Sequence, residues 1–238
     1  MDTPAVPEPP GTASRGPAAD GDAPGAAAPE RRLTPKGRAT REKILEAAAA
    51  LIHRQGAHLT NNESVRRAAG VSGSQLMRHF PTKESLVRGV IVWQADAVVG
   101  AHRELGVCDG LPALRRWAQS YADRDEPVGG GCSFGALAGE VLKVYPEVRE
   151  DVAEGFARWE EVFRSGLQAM VDRGELGPDA DPARLARLLL AAFQGGMLLD
   201  QAAGDSRALP CALDGAISYI ATFTPPARRA AKTGLGSP

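Results

Sequence analysis

Between Thr60 and Pro81 the chain carries two helix-start signals twelve residues apart, with one glycine between them and a proline at the end. Thr60-Asn61-Asn62-Glu63 has the form of a capping box, and Ser72-Gly73-Ser74-Gln75 repeats it. Gly70 offers a left-handed stop to the first helix. Pro81 closes the second, because the residue before a proline is pushed out of the α region. Two helices of about eight residues joined through Gly70-Val71-Ser72 read as a helix-turn-helix. Val65, Ala69, Val71, Leu76 and Phe80 are its expected core contacts.

The flanking sequence is helical as well. In residues 40–55 the apolar positions Ile44, Leu45, Ala48, Leu51 and Ile52 lie on one helix face, with Thr40 as its cap and Gly56 as its stop. A long helix starts near Thr82 and runs through Leu86, Val90, Ile91, Trp93 and Val98 toward Leu105. Further helices are expected at 112–124, 133–144, 147–173, 182–203 and 208–223. Gly129-Gly130-Gly131, Gly177-Pro178 and Gly204-Asp205 mark breaks between them. No run alternates with the period of a strand. The expected fold is all-α: an N-terminal three-helix unit joined by a long helix to a C-terminal helical domain. The prolines Pro4, Pro7, Pro9, Pro10, Pro17, Pro24 and Pro29 punctuate a stretch with no hydrophobic period. Residues 1–36 therefore read as a disordered tail, 37–84 as the helix-turn-helix domain with its motif at about 61–80, 85–224 as the second domain, and 225–238 as another disordered tail.

Charge separates the two domains. The chain as a whole has a formal net charge of -1. Residues 31–91 carry twelve Lys/Arg against four acids, whereas residues 92–224 carry twelve basic and twenty acidic side chains. One end attracts polyanions and the other repels them, as suits a nucleic-acid reader with a separate second domain. No run approaches the length of a membrane span, and the N-terminus lacks the layout of a secretory signal, so a cytoplasmic protein with no membrane partner is expected. Cys108, Cys132 and Cys211 are too scattered for a disulfide framework, and Cys132 reads as a buried, inert thiol. His53, His58, His79 and His102 show no metal-ligand pattern. No phosphate loop, nucleophile elbow or catalytic pairing of carboxylates is present, so neither an enzyme nor a bound cofactor is expected.

In a helix-turn-helix the second helix enters the major groove with its N-terminal residues against base edges. With Leu76 and Phe80 turned to the core, Gly73, Ser74, Gln75, Arg78 and His79 face the groove. Gln75 can bond adenine at two points, and Arg78 can reach guanine or a phosphate. Lys83, at the start of the next helix, suits a phosphate.

Two stretches carry a resemblance to a known family. Thr40-Arg41-Glu42-Lys43-Ile44-Leu45-Glu46-Ala47-Ala48-Ala49 is one. The other runs from Ala69 through Val71-Ser72-Gly73-Ser74-Gln75-Leu76-Met77-Arg78-His79-Phe80-Pro81-Thr82-Lys83 to Leu86. Together they resemble the TetR family of bacterial transcriptional regulators over about residues 38–90. The resemblance implies a homodimer, a palindromic double-stranded operator, and release by a small-molecule effector bound in the C-terminal domain. It places Thr60, Ser72, Gly73, Ser74, Gln75, His79 and Lys83 where the family contacts DNA. Met77 stands where the family commonly has a phosphate-contacting Tyr, and methionine cannot donate that bond. Asn62 and Arg66 replace the usual apolar and Ala positions. Residues 130–140 and 185–199 are similar to a C-terminal branch found in repressors of drug-efflux and drug-resistance genes, which implies a hydrophobic effector.

In the second domain Trp117, Tyr121, Trp159, Phe163 and Gln194 are candidate pocket residues, because amphipathic tips are useful against a ligand. Leu185, Leu188/Leu189, Ala192, Gly196, Leu199 and Ala203 form one stripe, and Leu213, Ile217 and Ile220 another; paired with symmetry copies they would make a four-helix dimer interface. The expected function is a ligand-responsive regulator, a repressor. The alternative is a helical ligand-binding or sequestering protein whose helix-turn-helix no longer reads DNA.

Overall fold

The computed structural model describes residues 33–107, 109–123 and 131–226. Of the expected tails, residues 1–32 and 227–238 lie outside the described residues, as do Gly129 and Gly130 of the expected break. Nine α-helices, and no strand, are found among the described residues. They are α1 (Pro35–Gln55), α2 (Asn62–Ala69), α3 (Gly73–His79), α4 (Lys83–His102), α5 (Leu111–Ala122), α6 (Ser133–Val144), α7 (Arg149–Asp172), α8 (Pro182–Ala203) and α9 (Ala208–Ala221). None is long and apolar enough to cross a membrane.

Helix starts follow local hydrogen bonding, and two differ from expectation. Thr34, not Thr40, caps α1: its Oγ1 accepts from Gly37 N at 3.2 Å, with Pro35 in the first turn. Proline suits that turn because it has no N–H to leave unpaired. Thr40 lies inside the helix and donates its hydroxyl to Lys36 O at 2.9 Å. Pro35 and Lys36, read as tail, are therefore helical. Asn61, not Thr60, caps α2: Asn61 Oδ1 accepts from Ser64 N at 2.9 Å, and Ser64 Oγ accepts from Asn61 N at 3.2 Å. The predicted box at Ser72 and Gln75 forms as expected, and Thr82 with Ser85 makes a third. Gly70 ends α2 at φ +63°, where any side chain would be strained. The long helix ends at His102, followed by a 3-10 turn over Arg103–Val107 that buries Leu105.

In the first unit α1 packs against α2, α3 and α4, and α2 packs against α3. Ile44, Leu45, Ala48, Val65, Val71, Leu76, Phe80, Leu86 and Val90 are all buried there. Ala69 is only partly buried. In the second unit α7 lies between α4 and α8, and α9 packs between α5 and α8. Helices α8 and α9 are held by two devices. The buried Asp200 accepts from Ala208 N (2.6 Å) and Leu209 N (3.3 Å) with its two carboxylate oxygens, capping the start of α9. Gly196 lets the α9 backbone in: a Cβ there would stand 2.6 Å from Leu209 Cα. This changes the expected dimer stripes. Leu185, Leu189, Gly196, Leu213, Ile217 and Ile220 are buried within the subunit, where α8 and α9 pack on each other and on their neighbours. Leu199 and Ala203 are exposed, and Leu188 and Ala192 half-buried.

Candidate nucleic-acid interface and ligand site

The short helix α3 presents its polar residues outward because its apolar ones are anchored. Leu76 and Phe80 are buried, while Ser72, Gly73, Ser74, Gln75 and Arg78 are exposed. Ser72 Oγ accepts from Gln75 N at 3.1 Å and lies 3.0 Å from Ser74 Oγ; Gln75 Oε1 accepts from Ser72 N at 2.8 Å. The amide of Gln75 thus holds the helix start while standing on its outer face. A carbonyl oxygen has two lone pairs, so the same Oε1 keeps capacity for a second donor.

His79 is half-buried. Burial first, then the positive charges of Arg41 and Arg78, hold its imidazole below the ordinary histidine value. Arg41, from α1, lies over the Phe80 ring at 5.2 Å, so α1 adds a cation beside α3 that the motif does not contain. Lys83 is half-buried at the start of α4, its Nζ 6.0 Å from the centre of the Tyr145 ring. Thr60 stands apart from this set: it is 4% exposed and its hydroxyl donates to Gly56 O at 2.9 Å. Its side chain serves the turn after α1 rather than the outer face. Arg66 donates to both oxygens of Glu63, at 2.8 and 2.6 Å, and these bonds lower the Glu63 carboxyl below its ordinary value. Met77 is exposed.

The second candidate site is an aromatic cluster where α4, α5, α7 and α8 meet. Of the expected pocket residues, Trp117, Tyr121, Trp159 and Phe163 come together; ring centres are 5.8 Å apart for Trp117–Tyr121, 5.4 Å for Trp117–Phe163 and 6.5 Å for Trp159–Phe163. The residue that joins them is His102, whose ring lies 4.9 Å from Trp159 and 5.9 Å from Trp117. Phe193 stacks on Trp117 at 5.8 Å. His102 Nδ1 donates to Val98 O at 2.7 Å, which leaves Nε2 to accept from the Tyr121 hydroxyl at 3.3 Å. Burial lowers the imidazole's pKa, against an opposing pull from the Val98 bond. The indole N–H groups of Trp117 and Trp159 are buried without a hydrogen-bond partner among the described residues. The cluster can therefore offer a ligand apolar ring faces and two unspent donors.

Gln194 turns its amide to the start of α6. Its Nε2 approaches Cys132 Sγ at 3.5 Å, and its Oε1 lies against Gly135. Cys132 is half-buried rather than buried, because it caps α6: its Sγ accepts from Gly135 N at 3.3 Å. His102 was the residue to find from sequence. It lies on the helix that supplies Leu86, Val90 and Ile91 to the core, but His53 stands at the end of a core-supplying helix too, so position alone does not single His102 out.

The two units are tied through α6 and α7. Glu140 accepts from Ala57 N and lies 3.4 Å from His58 Nδ1. Arg88 donates to Asp151 at 2.8 Å. These contacts join residues about sixty to eighty positions apart, beyond the reach of any local pattern.

Residues 44–90 match the family model described as bacterial regulatory proteins, tetR family; residues 110–215 match the one described as tetracyclin repressor-like, C-terminal domain. Together they take in well over half of the chain. The HTH-type transcriptional regulator UidR of Escherichia coli (strain K12) is 25% identical over 171 residues, covering 70% of this chain and 83% of its own length. The HTH-type transcriptional repressor KstR2 of Rhodococcus jostii (strain RHA1) is 26% identical over 151 residues, 63% of this chain and 74% of its own. Among solved structures, a TetR transcriptional regulator from Chloroflexus aurantiacus J-10-FL aligns with a TM-score of 0.66 at 28% identity, covering 80% of this chain and 98% of its own. The reduced form of Escherichia coli NemR aligns at 0.65 with 17% identity, over 78% of this chain and 97% of its own, a likeness of fold.

Proposed function

Because the chain belongs to the TetR family of bacterial regulatory proteins, ligand-responsive transcriptional regulators with an N-terminal helix-turn-helix, we propose that it represses transcription from an inverted-repeat operator, which it binds as a homodimer and leaves when a hydrophobic effector enters the aromatic cluster. Residues 37–84 are the reading head and 85–224 the effector and dimer body. The observation that carries this reading is the outer face of α3: exposed Ser72, Gly73, Ser74, Gln75 and Arg78 on a helix pinned by buried Leu76 and Phe80. Repression is supported by the likeness to KstR2.

One subunit offers one recognition helix. Two, related by a dyad and set about 34–36 Å apart, enter successive major grooves. The dimer surface is what α8 and α9 leave uncovered. Exposed Leu198, Leu199 and Tyr219 belong to it, with a groove of about 440 Å³ between Leu188, Ala192, Ala212 and Gly215. The effector is an apolar, aromatic molecule carrying acceptors for the Trp117 and Trp159 N–H groups. It releases DNA only through a difference in its affinity for the two arrangements of the reading head.

The test is band-shift titration on DNA flanking the chain's own gene, at two salt concentrations. Lys83→Ala should weaken all sequences alike and reduce the salt slope by about one. Gln75→Ala should relax sequence preference and leave the slope nearly unchanged, with a melting curve to account for the lost cap. Equal slopes and equal losses on every sequence would refute this division between phosphate and base. No shift by the intact chain on any such DNA would favour the sequestering protein.

A further inference from the structure

Away from the aromatic cluster, a cleft of about 90 Å³ opens where the reading head meets the body. It is lined by Ile52 and His53 of α1, Gln94 of α4, Ser133, Ala136, Leu137 and Glu140 of α6 and Gln201 of α8. At about 10–15 Å³ for each water, it holds several waters or one ligand of similar heavy-atom count. Its floor is buried Ile52, Leu137 and Gln94; its rim, at His53, Ser133, Ala136 and Gln201, is exposed.

Gln94 is the unexplained group. It is 5% exposed, and its Oε1 is buried without a hydrogen-bond partner among the described residues. A buried acceptor left unmet asks for a donor. The Glu140 carboxylate lines the same cleft. Its Oε1 is engaged by Ala57 N and faces His58, and its second oxygen remains. The lining contains no lysine or arginine, so an anion would meet a carboxylate and no counter-charge apart from the rim imidazole of His53. An ammonium group brings three donors and a positive charge to these acceptors, and Ile52 and Leu137 give its alkyl stem an apolar wall.

We propose that this cleft is a second ligand site, which captures a small alkylammonium compound between the Gln94 carbonyl and the Glu140 carboxylate. Its walls come from α1 of the reading head and from α6 and α8 of the body, so an occupant bridges the two. The capture itself stands without the DNA-binding reading; only its effect on DNA affinity rests on that reading.

Calorimetric titration of the full chain with butylammonium, 1-butanol and butyrate tests it. Butylammonium should bind once per chain and at least about tenfold more tightly than 1-butanol, as a charge-assisted contact requires; butyrate should give no saturable heat. Gln94→Leu should abolish the binding. So should Ala136→Trp, which plugs the exposed rim without entering the core. No saturable heat with butylammonium, equal binding of 1-butanol, or binding that survives Ala136→Trp overturns the proposal. Loss on Trp117→Ala in place of Ala136→Trp would put the amine among the aromatic rings and overturn it too. A chain that captures butylammonium yet shifts no DNA keeps this site and sinks the regulatory reading instead.

Discussion

The reading head and the body are both helical, but they are held differently. In the head, α2, α3 and α4 each start with a reciprocal pair of hydrogen bonds spanning three residues. In the body, the central object is six rings from four helices: His102, Trp117, Tyr121, Trp159, Phe163 and Phe193. The head is specified by local signals and the body by contacts between distant positions. The local device keeps its side chains at the surface, where DNA can meet them. The distant one buries them, where only a ligand that parts helices can reach.

The hardest test of this contrast is Trp159→Ala. Trp159 is fully buried and touches the rings of His102, Phe163 and Phe193. Truncation should cost about 3–5 kcal/mol in urea or thermal unfolding, through lost contacts and the cavity left behind. A cost below about 1 kcal/mol would mean that the cluster is already loose and hollow.

A smaller effect is expected in the head. Ser72→Ala removes the acceptor for Gln75 N and should cost about 1 kcal/mol. It should lower affinity for operator DNA, and body-centred tryptophan fluorescence should stay unchanged below the transition. A fluorescence change in the native baseline would show that the two regions are not held independently.

The smallest effect is a pH slope. Burial lowers the His102 pKa from 6.5. The unfolded chain then binds the proton more readily than the folded one between the two values, so stability falls as pH drops through about 6.5 toward the folded value. Above that range the penalty is absent. Melting temperatures across pH 5–8 should show this slope, and His102→Gln should reduce it, leaving the share of His79, whose imidazole is lowered too. A slope unchanged in the variant would assign it to other groups.

The same contrast explains what could be read from sequence. Ser72 and Gln75 declare α3 because both partners of the box lie within one turn, and Gly70 and Pro81 bound the motif unaided. The misplaced caps, Thr40 for Thr34 and Thr60 for Asn61, arose where two suitable residues stand close together. In each case the choice falls to which backbone N–H comes into reach. The aromatic helices are legible, but not which faces meet: the Gln194 amide turns to Cys132 and Gly135 of the α6 start, which no spacing announces. The same holds for the stripe on α8, whose spacing fits an internal partner as well as a second subunit. Glu140 reaching Ala57 across 83 positions has no sequence signal at all.

The amide of Gln75 has two employers, the start of its own helix and, on the proposed reading, a base in the groove. That places a constraint on descent. A lineage drifting toward a new operator cannot exchange this residue freely, because most replacements that change base preference also unfasten the helix that presents it. Glutamate is the exchange that keeps the fastening, since its carboxylate can accept from Ser72 N as the amide does. It would turn the position from adenine toward cytosine while bringing a negative charge to the phosphates. Operator divergence among relatives that keep this box should therefore concentrate at the base pairs facing Ser74 and Arg78, with the Gln75 contact as the slowest letter to change.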